Sequence, residues 1–271
     1  MVRRVFLLWA FLGLSAIATT AQERSITLAS TTSTEQSGFF AYVLPLFKAE
    51  TGIEVKVVAV GTGQALAIGA RGDADALLVH DRLGEEKFVA EGNGIDRRPV
   101  MFNDFVIVGP KADPAGIHGL NNAKDAFSKI GVAQTTFVSR GDDSGTHRME
   151  LRQWKAAGLS PKGTWYRETG QGMGPSLNIA AQLNAYILTD RATWASFRNK
   201  SDLEILVEGD PSLFNPYSSI LVNPAKFPAI NVADAKIWHE WITTAPGQKA
   251  IESFRIDGKQ LFFLPGSKPS S

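Results

Sequence analysis

The sequence predicts an α/β protein built as two lobes, and three observations carry that prediction. Short aliphatic or β-branched runs alternate with longer amphipathic ones from Ser25 onward, which is the pattern of a largely parallel sheet covered by helices. The 271 residues leave room for two units of roughly 100–150 residues each. The chain also leaves the first unit near Gly109-Pro110 and returns through the apolar run 218–222. Two segments therefore cross between the units, and a cleft is expected between them.

The N-terminal segment 1–21 is set apart from the fold. Arg3 and Arg4 precede an apolar run from Val5 to about Ala18, and small residues follow, the make-up of a secretory signal peptide. The run is shorter than the ~20 residues of a spanning helix, and the polar AQERS comes directly after it. Thr19 and Ala21 suit cleavage near Ala21. With no Cys to carry a lipid anchor, the mature chain is expected to be free in the periplasm.

In the first unit, 25–29 reads as a strand. Residues 36–50 read as a helix with Phe39, Phe40, Val43, Leu44 and Phe47 on one face, stopped by Gly52. A strand at 55–60, a short helix at 64–70, a strand at 76–79 and a helix at 84–91 closing on Gly92 follow. The apolar strand 105–108 ends this unit. In the second, 123–129 is a helix and 135–139 a strand. A strong helix over 146–157 is ended by Gly158 and Pro161, and 176–183 is a helix whose first turn Pro175 favours. A strand at 186–188 leads to a helix over 193–197 capped by Asp190. Strand 218–222 and helices 233–244 and 248–254 return to the first unit. The expected division is thus 25–108 plus 218–271 for lobe 1 and 109–217 for lobe 2.

Composition excludes several functions. Lys+Arg number 28 against 27 Asp+Glu, so there is no clustered positive excess for nucleic acid or an anionic membrane. The absence of Cys removes disulfide scaffolds, thiolate metal centres and thiol catalysis. The four histidines lack metal-ligand spacing.

Ligands of α/β sheets sit at the carboxyl ends of strands, and four strand-to-helix junctions here are rich in donors. Ser30, Thr31, Thr32, Ser33 and Thr34 are consecutive hydroxyl residues; a capping box of Ser33 with Gln36 needs only one of them, and the excess makes an anion cradle. Gly61-Thr62-Gly63 lets backbone approach a ligand closely, or simply makes a tight turn, with Leu66 where a dinucleotide fingerprint needs glycine. Ser139-Arg140-Gly141-Asp142-Asp143-Ser144-Gly145-Thr146-His147 joins a strand to a long helix. Its Arg140 offers a planar fork to two oxygens of a tetrahedral anion, and Ser144, Gly145 and Thr146 offer hydroxyls and N–H groups at the helix's positive end. Asp142 or Asp143 is expected to hold the guanidinium. Gly170, Gly172 and Gly174 bring bare backbone to a fourth helix start, as a ligand contact or a plain loop. One cation among many neutral donors suits a fully deprotonated dianion.

With Val60-Gly61-Thr62-Gly63-Gln64-Ala65-Leu66, Ala76-Leu77-Leu78-Val79-His80, Asn103-Asp104-Phe105-Val106-Ile107-Val108-Gly109-Pro110 and Gly170-Gln171-Gly172-Met173-Gly174 in the same order, the chain resembles the periplasmic tungstate-binding proteins of tungstate ABC transporters, class II periplasmic solute-binding proteins. The resemblance implies a class II periplasmic-binding-protein fold, two lobes joined by two crossover segments and closing on an oxyanion. It further implies delivery to an inner-membrane permease, with no catalysis, cofactor or protein-bound metal, by a protein expected to be monomeric. The family's ligand-binding arginine falls on Arg140. The ligand contacts expected are Thr31, Thr32, Ser33, Thr62, Arg140, Ser144, Gly145, Thr146, Gly172 and Gly174. One departure is Ser30, where the family usually begins its motif with Thr.

Two alternatives stand beside this. The Arg-x-x-x-Ser-Gly-Thr pattern is similar to phosphate-binding proteins, where an acidic side chain takes the proton of hydrogen phosphate, a part open to Asp142 or Asp143. Molybdate has nearly tungstate's size and its charge, so only the resemblance favours tungstate. Ser144, His147 and Asp142 or Asp143 are the residue types of a hydrolase triad, yet Ser144 and His147 share one helix turn and no Gly-x-Ser-x-Gly elbow is present.

Overall fold

Two sheets meet on one long strand in the computed structural model, which describes residues 24–267. The expected signal segment, 1–21, and the end of the tail lie outside the described residues. In the first unit the order is β1 (Ser25–Thr31), α1 (Thr32–Gln36), α2 (Phe39–Thr51), β2 (Glu54–Val60), α3 (Thr62–Ala70), β3 (Ala76–Val79) and α4 (Arg82–Ala90). Strand β4 (Gly94–Pro110) then runs into the second unit, which holds α5 (Ala123–Ala133), β5 (Phe137–Ser139), α6 (Gly145–Ala156), β6 (Tyr166–Glu168), α7 (Met173–Leu183), β7 (Tyr186–Asp190), α8 (Arg191–Ser196) and β8 (Leu203–Val207). A 3-10 turn at Pro211–Leu213 leads into β9 (Phe214–Val222), which returns the chain, and α9 (Val232–Thr243) and α10 (Ala245–Ser253) pack on the first unit.

Along the sheet path the strands run β2-β1-β3-β9-β4-β7-β5-β6, with β8 also on β4. Pairs β1–β2, β1–β3, β5–β6 and β5–β7 are parallel, whereas β4 and β9 are antiparallel to their neighbours. Residues 94–104 of β4 pair with β9, and from Phe105, opposite Asp190, the same strand pairs with β7. The hand-over therefore lies at Asp104–Phe105 rather than at the expected Gly109-Pro110, and the return begins at Phe214 rather than Ser218. The polar pair Asn103-Asp104 marks the hand-over, but the strand runs on unbroken through it to Pro110, so the turn residues Gly109-Pro110 mark where the strand ends and not where its partner changes.

Each unit has an aromatic core. The face of α2 predicted from periodicity buries Phe39, Phe40, Val43 and Phe47, with Leu44 half-buried; each full burial is worth about 1.5–3 kcal/mol. Phe47 packs edge-on to Trp238 at 5.2 Å. In the second unit Phe127 meets Trp154 edge-on at 4.6 Å. Phe47→Ala would remove contacts with both α9 tryptophans, a cavity of the kind that costs about 3–5 kcal/mol.

The local expectations that changed all concern junctions. The single helix over 36–50 is two helices, because Gly38 takes a left-handed φ of 82° and breaks the run. The Ser33–Gln36 capping box does not form. Helix α1 starts earlier, Thr31 is its cap and accepts from Thr34 N at 3.4 Å, and Ser33 lies inside the helix. Asp190 does cap α8, accepting from Thr193 N at 2.8 Å. Strands β6 and β8 were not anticipated: β6 is three residues long with two of them exposed, so it has no hydrophobic alternation to read.

Candidate functional site

The donor-rich junctions converge where the two units face each other. Thr31 ends β1, Thr32 and Ser33 open α1, Thr62 sits at the start of α3, Arg140 after β5, Ser144–Thr146 at the start of α6, and Gly172 and Gly174 at the start of α7. Each follows the carboxyl end of a strand or opens a helix, so their hydroxyls and N–H groups share one cleft. Thr31, Ser33, Thr62, Arg140, Ser144 and Thr146 are all at most 2% exposed, and Thr32, Gly172 and Gly174 are half-buried.

Arg140 is the cationic centre. Its Nη2 and Nε donate to Asp142 Oδ2 at 2.6 and 3.2 Å, and Nη2 also donates to Thr32 Oγ1 of the facing unit at 3.2 Å. Burial lowers the guanidinium's pKa, while Asp142 and then Asp190 oppose that effect; an arginine stays charged in this setting. The choice between the two aspartates is settled by geometry. Asp142 orients Arg140, whereas Asp143 forms two 2.8 Å bonds to Arg148. Asp190, fully buried, uses Oδ1 as the α8 cap and has no partner for Oδ2. Its pKa is raised by burial, with Arg140 among the groups pulling it back.

Several expected ligand donors are engaged across the cleft. Gly145 N donates to Thr62 Oγ1 at 2.8 Å, Gly174 N to Gln36 Oε1 at 2.9 Å, and Gly63 N to the Asp143 carbonyl at 3.3 Å. The glycines of Gly61-Thr62-Gly63 are accordingly explained by the approach of the other unit. A Cβ on Gly61 would lie 3.1 Å from the Asp142 carbonyl, and one on Gly63 would collide with the Asp143 carboxylate. Thr62 accepts through its oxygen and so keeps its own proton to donate. Ser144 caps α6, accepting from His147 N at 3.2 Å. The hydroxyl of Thr146, by contrast, is buried with no partner, as a side chain awaiting a ligand would be. Outside this cluster, Asp81 at the end of β3 binds Arg148 and Arg152 of α6 at 2.7 and 3.2 Å, an ion-pair link between the units.

His80, which follows the apolar run 76–79 and so could reach the cleft but as a lone histidine has no assigned role in the sequence, lies inside the cluster. It is 4% exposed, and its Nε2 lies 3.1 Å from both Thr31 Oγ1 and Ser33 Oγ. Burial pushes its pKa down to about 4, the Asn215 hydrogen bond opposes this, and Arg140 adds to the depression. Its position directly after strand β3 is the signal that could have found it, since it shares the strand-to-helix placement of the other junctions. Asn215 lies in the cluster without any sequence mark, and Gln36 and Asn103, named in the sequence only as a capping partner and as part of a matching stretch, lie in or beside it.

Two cavities flank the cluster. One of about 550 Å³ is lined by His80, Asp81, Arg97, Arg152 and Asn215, among others, and another of about 330 Å³ by Gln36, Gly174, Thr193 and Ser196, among others. Arg140 lines neither. The triad types do not assemble, because the His147 ring accepts from Asp143 N at 3.1 Å and is turned to backbone instead of to Ser144 Oγ. Among the described residues no group of three or more His, Cys, Asp or Glu is placed to hold a metal ion, and no helix is long and apolar enough to cross a membrane.

A PBP superfamily domain model matches residues 16–246. The tungstate-binding protein TupA of Peptoclostridium acidaminophilum is 46% identical over 254 residues, covering 93% of this chain and 88% of that one. TupA of Campylobacter jejuni is 39% identical over 237 residues, 86% and 88% respectively. The solved structure titled as the tungstate ABC transporter from Geobacter sulfurreducens superposes with a TM-score of 0.79 at 48% identity, covering 86% of this chain and all of that one.

Proposed function

Because the chain belongs to the PBP superfamily and, within it, to the family of these tungstate-binding relatives, we propose that it captures tungstate between its two lobes and presents it to the permease of an ABC transporter. The observation that carries the site is Arg140, almost wholly buried at the meeting of the units, where its guanidinium donates to the Thr32 hydroxyl of the facing one. Its described bonds run through Nε and Nη2, which leaves Nη1 for the ion. Thr32, Ser33, Thr62 and Thr146 supply hydroxyls, Thr31 holds the start of α1 as its cap, and the start of α6 supplies N–H dipoles.

The arrangement favours an ion that only accepts hydrogen bonds. Asp142 and Asp143 are each paired with an arginine, so a proton of hydrogen phosphate would compete with that pairing at either carboxylate. Tungstate and molybdate present the same charge and four oxygens, and the names of the relatives decide between them. The ion is cargo bound through its oxygens, so no cofactor or protein-ligated metal is part of this function. We place the protein in the periplasm, exported by the 1–21 segment, acting as a monomer that docks on an inner-membrane permease.

Calorimetry of the ligand-stripped protein against tungstate, molybdate, sulfate and phosphate tests this. Tight binding of tungstate with a raised melting temperature is expected. No heat and no stabilisation with any of the four would sink the function, and tighter phosphate binding would replace it with phosphate capture.

A further inference from the structure

The hydrogen-bond network around His80 fixes which of its nitrogens carries the proton. Asn103 on β4 and Asn215 on β9 are register partners on the two crossing strands. The Asn215 amide nitrogen donates to Asn103 Oδ1 at 2.7 Å and to Tyr217 Oη at 3.3 Å. Asn215 Oδ1 is therefore the atom that faces His80 Nδ1, at 2.9 Å, and an amide oxygen only accepts. With the two amides set this way round, which leaves Asn103 Nδ2 buried without a partner, Nδ1 bears the hydrogen, and in a neutral ring Nε2 is then a lone pair. The ring is held in plane by Tyr217, stacked at 4.7 Å.

That lone pair lies equally far from Thr31 Oγ1 and Ser33 Oγ and satisfies one hydroxyl proton. Thr31 Oγ1 accepts Thr34 N–H and lies 2.7 Å from Thr34 Oγ1 and 3.2 Å from Ser33 Oγ; with the closer Thr34 hydroxyl donating to it, both of its lone pairs are filled and it takes no proton from Ser33. Donating to Nε2 completes its bonding, and the Ser33 proton is left over. We propose that His80 is a positioning residue of the oxyanion site: its Nε2 takes the Thr31 proton, keeping Ser33 O–H as a donor to the ion, while the Asn215–Asn103 relay ties this setting to both crossing strands. The other charged groups that act on the ring are Arg140, Asp81 and Arg152. Asp81 is itself paired with two arginines, so the ring has no free carboxylate to charge it.

This inference rests on the cleft being an oxyanion site, and the test separates the two. Tungstate titrations would compare the wild type with His80→Asn, which keeps an amide beside Asn215 but nothing at Nε2, and His80→Gln, which can place an amide oxygen where Nε2 stood. Binding about tenfold weaker in H80N is expected, with H80Q within about threefold of the wild type and both ligand-free melting temperatures alike. Equal losses in the two variants, or H80N binding as well as the wild type, overturn the positioning role alone. A wild type that binds none of the oxyanions overturns the function, and this role with it. Nitrogen-15 shifts of the free protein add a readout that packing does not move: a proton on Nδ1 at neutral pH is expected, and one on Nε2 overturns the relay whatever the binding result.

Discussion

Replacing Arg140 by Gln removes the one cation among the buried donors, and its cost can be worked from the bonds the side chain makes. A hydrogen bond from a charged donor to the ion is worth about 1.5–3 kcal/mol net. The variant also strands Asp142, only 14% exposed on its side chain, in the cleft that must accept a dianion. At an effective dielectric near 20, two charges ~5 Å apart interact by about 3 kcal/mol, so the guanidinium's attraction for the ion, which offsets the Asp142 repulsion in the wild type, is lost on the same scale as the bond. A total above ~2 kcal/mol follows, about 30-fold or more in dissociation constant. Calorimetric titration with tungstate measures it directly, and a melting curve without ligand checks that the fold survives. Arg140→Gln with Asp142→Asn should recover part of the loss, because the stranded carboxylate is gone. Arg140→Lys should fall between, keeping charge but losing the planar fork. An Arg140→Gln protein that is folded and binds tungstate within twofold of the wild type would refute the reasoning.

Other perturbations probe closure and the second unit. Gly145→Ala would set a Cβ 3.0 Å from both Thr62 Oγ1 and His80 Cε1, so tungstate binding should weaken by about tenfold with little change in ligand-free melting; unchanged binding would mean that the units need not approach this closely. Asp81→Asn removes the carboxylate shared by Arg148 and Arg152 and should loosen the closed form by ~1–2 kcal/mol, seen in stopped-flow as faster tungstate release. Glu150 is fully buried, accepts from Tyr166 Oη at 2.7 Å and Trp154 Nε1 at 3.1 Å, and has its pKa pushed up by burial to about 7 from 4.5. The native state thus holds a proton that the unfolded chain has lost. Stability should fall as pH rises from about 4.5 to about 7, by on the order of 2–3 kcal/mol, and melting of Glu150→Gln should show a flatter profile over that range; parallel profiles would contradict the assignment.

The parts of this fold that were legible in the sequence are those where one residue's chemistry fixes its place. Gly52 stops α2 with a left-handed φ of 71°, and Asp190 caps α8, because few other residue types do either job. The α2 face was legible for the same reason: a 3.6-residue period of Phe and Val has one way to be buried. What could not be read was anything set by a partner far along the chain. Thr31 rather than Ser33 caps α1 because β1 runs two residues further, where Ser30 and Thr31 still pair with β2. The glycines at 61 and 63 signalled a close approach, but nothing local says whether a ligand or the Asp142–Asp143 backbone approaches. For His80 the strand-end position allows a place near the cleft, but its partners, 49 and 135 positions away, are what give it a role, and they leave no trace in its neighbourhood.

The charge balance of the site has a consequence for how an ion would be held. Arg140 is paired with Asp142, so the buried centre offers little net positive charge. A dianion entering it must be neutralised mainly by oriented dipoles and hydroxyls, several of which are already bonded across the cleft. Such donors discriminate by protonation state, since a hydroxyl with its proton aimed at the ion welcomes an oxygen without hydrogen and repels one that carries it. How far such a site would turn away hydrogen phosphate depends on what fixes the hydroxyl protons as well as on the arginine. In this cleft that task falls to Thr31 as a helix cap and to the lone pair of His80.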